Sequence, residues 1–116
     1  MNIPIYVLNY KNEERKEKME KRLYKFNTKF IEGLDTTNNR DNNIMLSHLE
    51  CIKDFYYNTK DNYAIICEDD VYIHNELQDK LSQVVDDFKN LNLDILLLSY
   101  LLNHQLLKEL KKPYDL

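Results

Sequence analysis

Short apolar runs alternate with segments in which apolar residues recur every three or four positions, and this alternation lays out the elements. Ile3-Pro4-Ile5-Tyr6-Val7-Leu8 is continuously apolar and stops at Asn9. Such a run reads as a strand buried on both faces, with Pro4 tolerated because it stands near the start. Asn12 then caps a helix whose first turn carries Glu13 and Glu14, where carboxylates complement the positive helix end. Met19, Leu23 and Phe26 give this helix a thin apolar stripe, which places it on the outside of the fold. Thr28 to Glu32 forms a second strand, closed by Gly33, the sole glycine. A lone glycine there predicts either a positive φ or a close backbone approach. Residues 36–43 are polar and rich in turn formers, and read as a mobile surface loop. From Ile44 the period is helical: Met45, Leu49, Ile52 and Tyr56 share a face, widened by His48 and Phe55, with Asp41, Asn42 or Asn43 as the cap.

Tyr63-Ala64-Ile65-Ile66-Cys67 is a third strand, and it runs straight into Glu68-Asp69-Asp70. Asn75 with Gln78 makes a capping-box-like start for a helix bearing Leu77, Leu81, Val84 and Phe88 at 4-3-4 spacing. Asp94 to Ser99 reads as a fourth strand, and Asn103 to Lys112 as a short helix ended by Pro113. Strands alternating with helices predict an α/β fold: a Rossmann-like, mostly parallel sheet with right-handed crossovers and helices on both faces. One domain accounts for residues 1–116. In such folds ligands gather at the carboxyl ends of the strands. Asn9, Gly33 to Asp35, Glu68 to Asp70 and Ser99-Tyr100 all fall on that edge.

Composition narrows the function more than the fold. With 43% hydrophobic and 31% charged residues, the chain is an ordinary globular protein. One glycine excludes a Gly-rich phosphate loop. A net charge of -4 argues against a nucleic-acid partner, which needs a basic footprint. The longest apolar run, Ile95 to Leu102, is far too short for a membrane span, and there is no basic-then-apolar leader, so the expected location is cytoplasmic. Cys51 and Cys67 lack metal or redox spacing and read as reduced core thiols. His74 and His104 read as surface residues.

Three like charges after a buried strand demand either full solvation or a neutralising cation. A hard divalent ion held by a few carboxylate oxygens, with phosphate completing its shell, is one solution for Glu68 to Asp70; an inert solvated turn is the other. Arg15 is either a solvated helix charge or, as a first-turn residue after a strand, a ligand contact. His48 borders the apolar face of its helix, where a packed histidine is the simplest reading.

Four groups of residues, taken in order and spacing, resemble the family 25 glycosyltransferases, which include lipooligosaccharide-biosynthesis and collagen galactosyl- or glucosyltransferases. They are Asn9 with Arg15; Phe30-Ile31-Glu32-Gly33-Leu34-Asp35; Leu46-Ser47-His48-Leu49; and Ile66-Cys67-Glu68-Asp69-Asp70-Val71. The resemblance covers Ile3 to Ser99. It implies a GT-A-like fold and transfer of a hexose from a nucleotide sugar, usually a UDP-sugar, to a glycan or protein-hydroxyl acceptor with Mn2+ (or Mg2+). By the match Glu68 and Asp70 are the metal carboxylates, Asp69 faces the ribose or sugar, Asn9 and Arg15 line the nucleotide pocket, and Asp35 and His48 lie near the donor. No catalytic residue is assigned.

Two positions depart from the family pattern: a glycine-bearing segment before Ser-His is here Asp41 to Met45, and an aromatic four residues after the His is here Ile52. The family domain also continues past the strand matched by Ile95 to Leu98, so the expected content is the donor-binding part of an incomplete GT-A domain. An unfinished sheet leaves an edge free, which predicts homo-oligomer formation. A non-catalytic remnant serving as a nucleotide-binding or interaction module is the alternative. A phosphoacceptor receiver is disfavoured, because Asn9-Tyr10 stands where its acidic pair belongs and no lysine ends the strand at Leu98-Ser99.

Overall fold

The computed structural model describes residues 3–72 and 76–95. The chain divides into two compact units, Met1–Ile73 and His74–Leu116. In the first, the order is β1 (Ile5–Asn9), α1 (Glu13–Arg22), β2 (Thr28–Glu32), α2 (Arg40–Asn58) and β3 (Ile65–Glu68). The strands form an open, all-parallel sheet in the order β2-β1-β3. Ile5 pairs with Thr28 and Ile65, and Leu8 with Ile31 and Glu68. The ladder extends past the strand ends: Ile65 N–H donates to the Pro4 carbonyl at 3.0 Å and Gly33 N–H to the Asn9 carbonyl at 2.9 Å. Pro4, which has no donor of its own, therefore still contributes its acceptor.

β1 is buried along its whole length, as its apolar run predicts. Successive side chains of a strand point to opposite faces. Ile5 and Val7 pack with Met19 and Leu23 from the α1 side, together with Ile65 and Cys67 of β3. Tyr6 and Leu8 pack with Cys51 of α2, against Ile31 and Ile66. Helices thus flank both faces of the described sheet. α1 is charged over most of its surface, and Met19 and Leu23, 0% and 1% exposed, hold it in place. Each fully buried side chain of this size contributes about 1.5–3 kcal/mol. The Asn12 side chain accepts the Arg15 N–H at 3.0 Å, the expected cap.

α2 differs from its expected start and face. It begins at Arg40, four residues before Ile44, and its cap is Asn39, whose side chain accepts the Asn42 N–H. Thr37 and Asn43 brace this entry: the Asn43 side-chain oxygen accepts from the Thr37 N–H and hydroxyl at 2.9 and 2.8 Å. Met45, Leu49, Ile52 and Tyr56, the expected inward stripe, are 42% to 75% exposed. The buried positions are Ser47 and Cys51, with Phe55 packed beside them. The cause is volume. Large residues from the sheet fill the gap (Tyr6, Leu8, Ile31 and Ile66), so the helix presents small side chains to it.

In the second unit, α3 (Leu77–Asn90) buries Leu81 and Val85, with Val84 and Phe88 half-buried. Its N-cap position is Glu76, and Asn75 lies outside the described residues. Asn92, at φ 52°, closes the helix with bonds from Asn92 N–H to Lys89 and from Leu93 N–H to Phe88. The expected strand beyond Ile95, Ser99-Tyr100, the helix over 103–112, His74 and His104 also lie outside the described residues. No described helix is long and apolar enough to cross a membrane.

Candidate functional site

β1 is the central strand, with β2 on one side and β3 on the other. The carboxyl ends of the strands form the edge at which open parallel sheets bind ligands. Asn9, the last residue of β1, is 4% exposed, and its amide nitrogen donates to the Asn12 carbonyl and to a carboxylate oxygen of Asp69, both at 2.9 Å. The second Asp69 oxygen accepts from the Arg15 guanidinium at 3.3 Å. Three predicted residues from β1, α1 and the exit of β3 therefore meet in one group. A buried carboxylate is tolerable only when paired and hydrogen-bonded, and Asp69 is both. Arg15 spends one of its N–H groups on this bond and its side chain is half exposed, leaving donors for an anion.

The three carboxylates have different surroundings. Asp69 is committed on the α1 side, whereas Glu68, paired in register with Leu8, belongs to the α2 side. Glu68 and Asp70 are exposed. Two free carboxylates suit a divalent cation that draws its remaining oxygens from a diphosphate and water. They do not make a cage: among the described residues no three His, Cys, Asp or Glu side chains gather into a site that would hold an ion unaided.

A second group stands at the end of β2. The Tyr10 hydroxyl donates to Asp35 at 2.8 Å, and Asn43 donates to the other Asp35 oxygen at 3.4 Å. The carboxylate raises the Tyr10 phenol above its usual range. Gly33 has no positive φ; its role is close approach, since a Cβ added there would meet the Tyr10 Cβ at 3.0 Å. The Ser47 hydroxyl accepts the Leu34 N–H at 2.8 Å and donates to the Asn43 carbonyl at 2.7 Å, tying this turn to α2. His48 follows half-buried, and no hydrogen bond or ion pair among the described residues joins it to the other candidates.

Sequence reasoning passed over several residues that shape this edge. Tyr10 is one. Arg22 is another: its guanidinium donates to the Val71 carbonyl at 3.0 Å and stacks over the Tyr72 ring at 3.9 Å. Its distance of seven residues from Arg15, two helical turns, was the available signal. Away from the edge, Asp54 accepts from Tyr6, Lys29 and Asn58, each at 2.8 Å. Those donors, Lys29 foremost, pull its carboxyl down to about 2, while burial and then the Asp54 bond push Tyr6 up to about 12. A cavity lined by Ile31, Glu50, Lys53, Asp54, Tyr57 and Asn58 adjoins this group and includes none of the predicted site residues. Burial raises Cys51 to about 11 and Cys67 to about 12, so neither thiol is a nucleophile near neutral pH.

Comparison of the chain with protein-family models, with curated proteins and with solved structures finds no match.

Proposed function

We propose that the chain is the donor-binding part of a family 25-like, GT-A-type glycosyltransferase, moving a hexose from a UDP-sugar to a glycan or protein hydroxyl with help from Mn2+ or Mg2+. The observation that carries this reading is the convergence of Asn9, Arg15 and Asp69 at the carboxyl ends of β1 and β3. The surrounding edge bears Glu32, Asp35, Glu68 and Asp70 against the cations Lys11 and Arg15. Such an edge repels a bare diphosphate and accepts one that arrives with a divalent ion, for which Glu68 and Asp70 are the ligands and whose part is to neutralise charge on the leaving diphosphate. Arg15 supplies guanidinium donors to the anion, and Asp69 keeps that guanidinium in place. Asp35 and His48 stand on the donor side.

The test is thermal unfolding with and without UDP or a UDP-sugar in Mn2+. At a hundredfold excess over Kd, mass action adds about 2.7 kcal/mol, which raises Tm by roughly 5 °C or more. A panel of nucleotides that leaves Tm unmoved, with metal and without, refutes the reading. A second reading, a non-catalytic nucleotide-binding or interaction module, is favoured by the exposed row Met45, Leu49, Ile52 and Tyr56 on α2. Hydrolysis of the donor sugar by the chain itself counts against it; a mass in solution that grows with concentration counts for it.

A further inference from the structure

We infer that the outer face of α2 is a pairing surface for a second copy of this chain, laid antiparallel against it across a two-fold axis. At about 100° per residue, Met45, Leu49, Ile52 and Tyr56 fall within about 60° of one another around the helix. Ser47 and Cys51, the buried positions, lie on the opposite side. The four are 42% to 75% exposed and point directly away from the sheet. None of them belongs to the core that holds α2 in place, and none to the site at the strand ends. Exposed apolar residues scattered singly are ordinary, but four in line over three helical turns form a patch.

The spacing of the row selects its partner. It is 4-3-4, which is the same from either end, so a second α2 laid antiparallel meets it with no shift in register. Leu49 then faces Ile52 of the partner subunit, and Met45 faces Tyr56 of the partner subunit. A thioether packs well against an aromatic ring, and the two-fold repeats each contact. The flanks make a polar rim: Asp41, Asn42 and Lys53 are exposed beside the row, and Lys53 is already paired with Glu50 at 3.6 Å.

Area sets the strength. The exposed parts of the four side chains amount to roughly 450 Å² per chain, or about 900 Å² for the pair before the rim is added. That approaches the ~1,000 Å² of a specific interface and predicts a reversible dimer, with a Kd on the order of 10–100 μM. A dissociated chain keeps its own core, so in dilute solution the stability of the fold does not depend on pairing.

The experiment is sedimentation velocity of the full chain from roughly 1 to 500 μM. No nucleotide or metal is added, so the outcome is independent of the donor-site reading. The wild-type mass is expected to rise from that of one chain toward that of two. Leu49→Glu and Ile52→Lys are each expected to stay monomeric, with circular dichroism unchanged because both positions are exposed. An equal mixture of the two variants sets the new carboxylate opposite the new ammonium, and the dimer is expected to return. A wild-type chain that stays monomeric throughout overturns the inference. So does a dimer that Ile52→Lys leaves intact, since the contact then lies elsewhere, as at the free edge of β2. A mixture that fails to recover while the wild type pairs overturns the antiparallel arrangement.

Discussion

Asn9 is the single side chain on which the candidate site turns. Its amide reaches both the α1 entry and the β3 exit, and no carboxylate of the same shape can replace it. Asn9→Asp exchanges a donor for a charge facing the buried Asp69. The expected cost is about 2–4 kcal/mol by urea denaturation at pH 7. Two facing carboxylates raise the pKa of one above its unfolded value, and such a group stabilises less as pH rises, so the deficit should shrink at pH 4. An equal deficit at both pH values would refute the contact. Asp54 obeys the opposite sign. Its folded value of about 2 lies below the unfolded one, so its stabilisation is complete above pH 4 and is lost as pH falls toward 2. Tyr6, raised to about 12, contributes fully below pH 10 and loses its contribution as pH rises toward 12. Asp54→Asn should therefore flatten the acid limb of the stability profile, by about 1–2 kcal/mol after allowing for solvent screening.

Among the elements, α2 most clearly separates what the residue pattern reveals from what packing decides. Substituting Ile52 by Lys on its outer face should change stability by no more than about 0.5 kcal/mol. Cys51→Leu, one position away and fully buried, should cost about 1–3 kcal/mol through overpacking. Urea denaturation of both variants checks the pair, and a reversed ranking would restore the face that periodicity favours. Counting large apolar residues picks the wrong face because it ignores the volume already supplied by the sheet. The helix start is hidden for a related reason: Asn39, Asp41, Asn42 and Asn43 are turn formers singly, and only the cap and the Thr37–Asn43 bonds make them helical. β1, β2 and α1 were readable because an unbroken apolar run, a Gly33 stop and the Asn12 cap are local signals. Asn9, Arg15 and Asp69 could be placed at one edge from strand ends alone. The contact between Tyr10 and Asp35 could not, since it depends on the β1–β2 register and on the space Gly33 leaves.

For the molecule as a whole, charge sets the conditions under which the edge can hold an anion. A net charge of -4 opposes any nucleotide, and the carboxylates at the strand ends concentrate that opposition where the ligand would sit. The stabilisation by UDP is therefore expected only with a divalent ion: EDTA should cancel the gain in Tm, and excess Mn2+ should restore it. An unchanged gain in EDTA would remove the metal from the reading and leave Arg15 and Lys11 as the anion's partners.

Arg15 and Arg22 hold successive points of the segment that follows β3, Asp69 at one end and Val71 with Tyr72 at the other. Residues 69–72, although irregular in backbone, are therefore expected to open together with α1 and its buried Met19 and Leu23. Amide exchange through this exit should follow the opening of α1, and Met19→Ala, at about 2–5 kcal/mol, should quicken it as much as it quickens the helix. The acidic exit would then borrow its order from α1. A core substitution remote from any ligand could loosen the site without altering one of its charges.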